Sequence, residues 1–224
     1  MLDFAKARTK MVDTQVRTVD VTDYDLLAAL SEVPRERFVP PQLEPLAYID
    51  EDLPVRAPEP GRAGRYVMEP GPFAKLVQLA EIGAGERVLD VGCATGYSAA
   101  VLARLAGTVV ALEEDAGLAG TARETLDALG IGNVEVVEGP LAAGWAAGAP
   151  YDCILIEGAV ERVPEAFCDQ LREGGRLVAV VGTFGLAARA TVFTRVAGAL
   201  SARPVFNTYV RPLPGFETPR GFVF

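Results

Sequence analysis

The central part of the chain alternates short apolar runs with segments of helical periodicity. The apolar runs predict five strands, at 87–91, 108–112, 134–137, 153–156 and 176–181. Helical spacing predicts a helix at 72–82, before the first strand, and further helices at 95–105, 116–129 and 164–171. Strands separated by helices predict a parallel sheet covered on both faces, and hence an α/β fold.

The two ends of the chain depart from this alternation. Helical patterns cover 4–19 and 24–33, whereas 43–66 is rich in proline and glycine. That stretch predicts a long surface loop with room for a short hairpin. Near the other end, 191–196 and 205–210 are β-rich, with no convincing helix between them. Strands joined in that way pair antiparallel, so the sheet is expected to end in an antiparallel strand.

The composition suits one substantial core, or a core with a small appendage. The chain has 224 residues, of which 50% are apolar, and this is enough for a single domain. Because no apolar run can span a bilayer and the first residues do not resemble a signal peptide, a cytoplasmic location is expected. The net charge of −9 argues against nucleic acids and membranes as partners, since both require a basic face.

Two features of the composition restrict the chemistry. Histidine is absent, which excludes an imidazole base, Ser-His-Asp or Cys-His catalysis, and His-ligated zinc. The cysteines Cys93, Cys153 and Cys168 lack the spacing of a metal site, and they predict reduced thiols. No metal site is therefore predicted, and any reaction must proceed without the usual proton shuttle near neutral pH.

The turn after the first predicted strand carries the strongest chemical signal. It reads Gly92-Cys-Ala-Thr-Gly96, and its small residues let the backbone approach a ligand closely. The next strand is followed by Glu113, a carboxylate that can accept hydrogen bonds from ribose hydroxyls. Tyr97 stands where a dinucleotide-binding turn has its third glycine, and no Walker lysine follows. A ligand with a ribose and no phosphate therefore fits this turn best.

The segment Asp90-Val-Gly-Cys-Ala-Thr-Gly96, together with Glu113, resembles the first motif and ribose-binding acid of class I S-adenosylmethionine-dependent methyltransferases. More narrowly, the chain resembles protein-L-isoaspartate O-methyltransferases over nearly its whole length. Seven segments carry this resemblance in the order of the family: 11–17, 33–40, 47–54, 88–101, 133–136, 149–154 and 170–178.

The resemblance implies a single domain with a doubly wound, Rossmann-like fold. Its seven-stranded sheet would be mostly parallel, with an antiparallel last strand. Within the domain, residues 1–69 would form N-terminal helices and a substrate-side loop, 70–213 the Rossmann-like core, and 214–224 an extended tail.

The resemblance also implies a protein-repair transferase. It would move a methyl group from S-adenosyl-L-methionine to a carboxylate of a damaged aspartyl residue in a protein or peptide, leaving S-adenosyl-L-homocysteine. A carboxylate is already ionised at neutral pH and needs no general base, which suits a chain without histidine.

Two groups of site residues follow from the resemblance. The cofactor-binding candidates are Asp90, Gly92, Cys93, Ala94, Gly96, Tyr97, Glu113, Glu138 and Gly139. The substrate-side candidates are Tyr66, Met68 and Glu157, which replace the family's threonine, serine and a neutral residue. Met68 cannot offer a strong hydrogen bond to a carboxylate. Glu157 would repel a carboxylate unless it points away or binds the amino group of the cofactor.

Some candidates have a structural alternative. Cys93 could be present for its small size or for its reactivity. The ring of Tyr97 could pack in the core or stack on the ligand. Glu138 could be a surface acid or a contact to the adenine amino group. For the whole chain three functions stay open: isoaspartyl methylation, methylation of another acceptor such as a different carboxylate, and non-catalytic cofactor binding. The sequence gives no indication of the oligomeric state.

Overall fold

The computed structural model of the chain describes residues 3–60, 63–182 and 188–217. The strands of this part are β1 (Leu53–Arg56), β2 (Arg65–Val67), β3 (Arg87–Val91), β4 (Thr108–Glu113), β5 (Val134–Glu138), β6 (Tyr151–Val160), β7 (Leu171–Val181), β8 (Ala188–Val196) and β9 (Ala199–Thr208). The α-helices are α1 (Phe4–Met11), α2 (Tyr24–Glu32), α3 (Pro70–Ala80), α4 (Tyr97–Leu102), α5 (Ala116–Ala128) and α6 (Ala166–Gln170).

Seven of these strands form one sheet, in the order β5-β4-β3-β6-β7-β8-β9. The first five in this order run parallel. Strand β8 pairs antiparallel with β7, and β9 pairs antiparallel with β8. The predicted α/β class and the antiparallel closing strands are therefore confirmed.

The central strands are buried on both faces, as their apolar sequences predict. In β3, Val88 belongs to the core under the N-terminal helices, whereas Leu89 belongs to the core on the opposite face. This alternation follows from the two-residue period of a strand. Because both faces are covered, ligands can reach the sheet only at the strand ends, where loops leave it.

Strand β6 is longer than the predicted 153–156. It continues through Gly158 and Ala159 because the C-terminal segment at 211–213 lies alongside it. Ala159 N donates to Arg211 O at 2.9 Å, and Leu213 N donates to Ala159 O at 2.9 Å. Long-range pairing thus extends the strand beyond what local propensity predicts.

The loop predicted at 43–66 contains the expected hairpin, in which β1 and β2 pair antiparallel. This hairpin and the segment 211–213 border the carboxyl ends of β3, β4 and β6, where the site residues lie. Of the tail predicted at 214–224, the described residues include only 214–217. No helix within the described ranges is long and apolar enough to cross a bilayer.

Candidate functional site

The turn after β3 is fixed to the neighbouring strand by its backbone. The amides of Gly92 and Cys93 both donate to Leu112 O, at 2.8 and 3.2 Å. Gly92 has a φ of 87°, and a Cβ atom there would lie 2.8 Å from Leu213 Cδ1 and 3.2 Å from Arg65 Nη2. Only glycine therefore fits this position. The turn presents bare backbone to the space where the hairpin and the C-terminal segment meet.

Glu113 is completely buried at the end of β4. Its Oε2 accepts a hydrogen bond from Ala94 N at 2.9 Å, and its Oε1 accepts from the amides of Glu114 and Asp115 at 3.0 and 3.1 Å. The structure thus brings the predicted ribose-binding acid into direct contact with the predicted cofactor turn.

Arg65, on β2, also binds this carboxylate. Its guanidinium forms a buried ion pair with Glu113, and its Nη2 donates to Gly92 O at 3.0 Å. Arg56, which faces Arg65 across the hairpin, forms an ion pair with Asp115. Sequence reasoning missed both arginines. The available signal was the arginines of the loop predicted at 43–66, together with the run of three acids, Glu113-Glu-Asp115, after the second central strand.

Asp90 is fully buried within β3. Ser98 Oγ donates to its Oδ2 at 2.6 Å, whereas its Oδ1 has no partner among the described residues. Burial raises the pKa of Asp90 to about 7, and the Glu113 carboxylate adds to the rise; the Ser98 hydrogen bond and Arg65 oppose it. The orphaned oxygen of Asp90 can accept a hydrogen bond from a ligand.

Tyr97 and Cys93 both lie in the core beside the turn. The Tyr97 ring packs against Phe38 and Phe73, with centroid distances of 5.7 and 5.6 Å, and the Arg35 guanidinium lies 4.7 Å from its centre. Burial raises the pKa of the Cys93 thiol well above its usual range, which disfavours a reactive thiolate. Contact of either residue with a cofactor stays a prediction.

Glu138 and Gly139 follow β5, next to the end of β4. The exposed Glu138 carboxylate accepts from Arg123 Nη1 at 2.7 Å, while Gly139 N donates to Glu113 O at 3.1 Å. Gly139 therefore joins the cluster around Glu113 through its backbone. The side chain of Glu138 is held on the surface by Arg123.

The substrate-side candidates Tyr66, Met68 and Glu157 line one narrow cleft, together with Arg211 and Asp52. The guanidinium of Arg211 lies 4.7 Å from the centre of the Tyr66 ring, and its Nε donates to Asp52 Oδ2 at 3.1 Å. The cleft also borders the space beside Gly92 and Cys93, which Tyr66, Met68 and Glu157 line as well. The structure thus places the predicted substrate-side residues next to the predicted cofactor turn.

Met68 is held in place through its backbone. Its carbonyl oxygen accepts a hydrogen bond from Nη2 of the fully buried Arg35 at 2.7 Å, and Arg35 Nε donates to Ala47 O at 2.8 Å. Arg35 was not among the predicted site residues. It ties the predicted substrate-side segment to the N-terminal helical region and so fixes one wall of the cleft.

The residues of the turn fit an adenosyl ligand chemically. A ribose needs an acceptor such as Glu113, Gly92 leaves the backbone of the turn bare, and Asp90 Oδ1 has no hydrogen-bond partner among the described residues. Arg65 and Leu213 lie against Gly92, and Arg65 also pairs with the Glu113 carboxylate. The fold and this donor set define a class I S-adenosylmethionine-dependent methyltransferase.

A family model places the chain more narrowly. The model of protein-L-isoaspartate (D-aspartate) O-methyltransferase matches residues 6–214, and the chain belongs to that family. Protein-L-isoaspartate O-methyltransferase 1 of Rhodopseudomonas palustris (strain HaA2) is 41% identical over 192 residues, which are 86% of this chain and 76% of that protein. The Gloeobacter violaceus enzyme is 39% identical over 203 residues, which are 91% of this chain and 96% of that protein.

Solved structures agree with this assignment. A protein-L-isoaspartate O-methyltransferase superposes with a TM-score of 0.80 at 28% identity, over 93% of this chain and 66% of that one. A Plasmodium falciparum beta-aspartate methyltransferase in complex with S-adenosyl-L-homocysteine has a TM-score of 0.75 at 19% identity, over 92% of this chain and 97% of that one, and shares the fold. The predicted family, fold and methyltransferase class are confirmed.

Proposed function

We propose that this chain transfers a methyl group from S-adenosyl-L-methionine to the carboxylate of an isoaspartyl residue in a protein or peptide. The observation that carries the proposal is the family match, which runs through the substrate-side hairpin as well as the cofactor turn. Three free cysteines support a reducing, cytoplasmic setting. The chain would act as a single domain, with 1–69 on the substrate side, 70–213 as the cofactor-binding core and 214–224 as a tail.

The cofactor would be held mainly by backbone. The close approach at Gly92, Ala94 and Gly96 would seat the adenosyl group, and Glu113 would accept hydrogen bonds from the ribose hydroxyls in place of Arg65. Gly139 would border the adenine side, and Asp90 the methionine side. S-adenosyl-L-methionine supplies an electrophilic methyl group when it is bound.

The residues on the acceptor side need only to position the acceptor, because its carboxylate is already reactive. An acceptor carboxylate is ionised at neutral pH, so a chain without histidine lacks nothing that the reaction requires. The residues of the cleft would align the acceptor oxygen with the methyl group and exclude water. Leu213, which lies against the cofactor turn, and Met68 provide apolar surface for that exclusion.

The test is methyl transfer to a defined peptide. Purified protein is incubated with methyl-labelled S-adenosyl-L-methionine and either an isoaspartyl peptide or the same peptide with ordinary aspartate. We expect base-labile label, released as methanol, only with the isoaspartyl peptide. Equal labelling of both peptides would indicate a different acceptor. No label despite tight binding of S-adenosyl-L-homocysteine would indicate a non-catalytic binding protein, and either result would contradict the proposal.

A further inference from the structure

Glu157 lies where the two sides of the site meet. It is on β6, one residue after Ile156, which pairs with Val91 at the end of β3. Its side chain lines the cleft with Tyr66 and Met68 and also the space beside the cofactor turn. A group at this point can contact an acceptor while the acceptor faces the turn.

One carboxyl oxygen of Glu157 is buried and makes no hydrogen bond to the described residues. This atom, Oε1, is inaccessible to solvent. A buried polar atom without a partner destabilises the folded state. In a native structure such an atom calls for an explanation, and a catalytic or ligand-binding role is one. Met68, which lines the same cleft, has only a thioether and cannot supply a strong hydrogen bond.

The surroundings of Glu157 favour its neutral form. Burial raises its pKa well above the usual range, the Asp90 carboxylate on β3 raises it further, and Arg65 on β2 opposes the rise. The Cys93 thiol lies within electrostatic range, and Arg211 and Asp52 face the same cleft, where they pair with each other. A neutral carboxylic acid donates one hydrogen bond and does not repel an anion.

We propose that Glu157 is the residue of this chain that positions the acceptor, by donating a hydrogen bond from its protonated carboxyl group to the acceptor carboxylate. This inference rests on the proposed function. A hydrogen bond between an acid and a carboxylate is charge-assisted and strong. It would hold one acceptor oxygen and leave the other directed at the methyl group beside the cofactor turn.

The proton balance of the reaction is unaffected by this role. The free acceptor oxygen forms a bond to the methyl carbon as the carbon–sulfur bond breaks, and the sulfonium charge is cancelled as the thioether forms. Glu157 keeps its proton throughout and acts as a donor rather than as a general acid. Its ionised form would place a second anion against the acceptor and would weaken acceptor binding.

The experiment compares Glu157→Ala and Glu157→Gln with the unmodified chain. Steady-state kinetics with the isoaspartyl peptide give kcat and KM between pH 6 and 9, and calorimetry gives the Kd of S-adenosyl-L-homocysteine. Glu157→Ala should raise the peptide KM by about tenfold or more, as expected for loss of a hydrogen bond to a charged group. Its Kd for S-adenosyl-L-homocysteine should stay within about twofold of the unmodified chain, because the lost bond is made to the acceptor.

Two further readouts separate this role from a structural one. Glu157→Gln should restore the KM, because an amide also donates. The KM of the unmodified chain should rise towards alkaline pH, whereas that of Glu157→Gln should stay flat. Glu165→Ala, an exposed position after the same strand, serves as the matched control and should change neither constant.

Three outcomes would overturn the inference. An unchanged KM in Glu157→Ala would show that the acceptor does not use this residue. A weakening of S-adenosyl-L-homocysteine binding by the same factor as the KM would assign Glu157 to the cofactor. If the unmodified chain does not methylate the isoaspartyl peptide at all, the proposed function fails together with the inference. The first two results leave the proposed function intact.

Discussion

The cofactor side and the acceptor side of this site are built in different ways. On the cofactor side, Glu113 is fixed by three backbone amides and by Arg65, so its carboxylate is fully satisfied before any ligand arrives. On the acceptor side, an oxygen of Glu157 has no partner among the described residues, and Met68 has no strong donor. The proposed cofactor side is therefore held mainly by backbone hydrogen bonds at the ends of the central strands, whereas the proposed acceptor side consists of a few side chains from the hairpin and from β6.

The largest expected effect comes from the cofactor side. Glu113→Gln removes the charged acceptor that we propose for the ribose, and a hydrogen bond to a charged group contributes about 1.5–3 kcal/mol. Calorimetry with S-adenosyl-L-homocysteine should show a loss of affinity of about 10- to 100-fold. Glu114→Gln, at the exposed neighbouring position, is the control. If the unmodified chain, Glu113→Gln and Glu114→Gln all bind S-adenosyl-L-homocysteine equally tightly, Glu113 does not belong to the cofactor site.

The pH dependence of stability tests whether burial raises the pKa of the buried carboxyl groups of the site. The pKa of Asp90 is raised in the folded chain to about 7 by burial, against about 3.9 when unfolded. Between about pH 4 and about pH 7 the folded state binds more protons than the unfolded state does. The free energy of unfolding should therefore fall as pH rises through this range.

Urea unfolding at pH 5 and pH 8 measures this change, for which we expect about 2 kcal/mol. Asp90→Asn should reduce it, and a remaining slope of the same sign is expected from Glu157, Glu69 and Glu114, since burial raises the pKa of each of these carboxyls as well. A free energy of unfolding that increases over this range would contradict the description of Asp90 and Glu157.

Arg65 links the two sides, and its removal should strengthen cofactor binding. The ion pair with Glu113 must open before a ribose can take its place, and a competing closed state lowers the apparent affinity. Arg65→Gln should therefore lower the Kd of S-adenosyl-L-homocysteine by about tenfold. Arg104→Gln, which removes an exposed pair with Glu32, is the matched control. A Kd that is unchanged or raised in Arg65→Gln would show that Arg65 does not compete with the cofactor.

The smallest effect is expected from the walls of the acceptor cleft. The double variant Tyr66→Thr, Met68→Ser supplies two hydroxyl groups near the acceptor, and one neutral hydrogen bond contributes about 0.5–1.5 kcal/mol. The rate of isoaspartyl methylation should rise by about two- to tenfold. Unchanged or lower activity would mean that these positions do not limit recognition of the acceptor.

Much of the cofactor side could be predicted from the sequence because its determinants are local. The bounds of β3 at 87–91 agree with its apolar run, and Glu113 directly follows the next run. Buried parallel strands read as continuous apolar segments, and a turn that needs positive φ requires small residues. The local sequence of the turn therefore suffices to predict its backbone geometry.

The acceptor side could not be predicted to the same extent, since its geometry depends on tertiary contacts. Arg65 meets a carboxylate 48 positions away, and this depends on how the hairpin docks on the sheet. The same holds for one residue of the cofactor side, Tyr97, whose ring packs against Phe38 and Phe73 from other elements. No local pattern encodes such contacts.

The most direct test of the account is a crystal structure of the chain with S-adenosyl-L-homocysteine. We predict ribose hydroxyls within hydrogen-bond distance of the Glu113 carboxylate, with Arg65 displaced from it and the sulfur facing the cleft that Met68 and Glu157 line. An intact Arg65–Glu113 ion pair, with the ligand bound elsewhere or absent at saturating concentration, would contradict the central claim that this turn is the cofactor site.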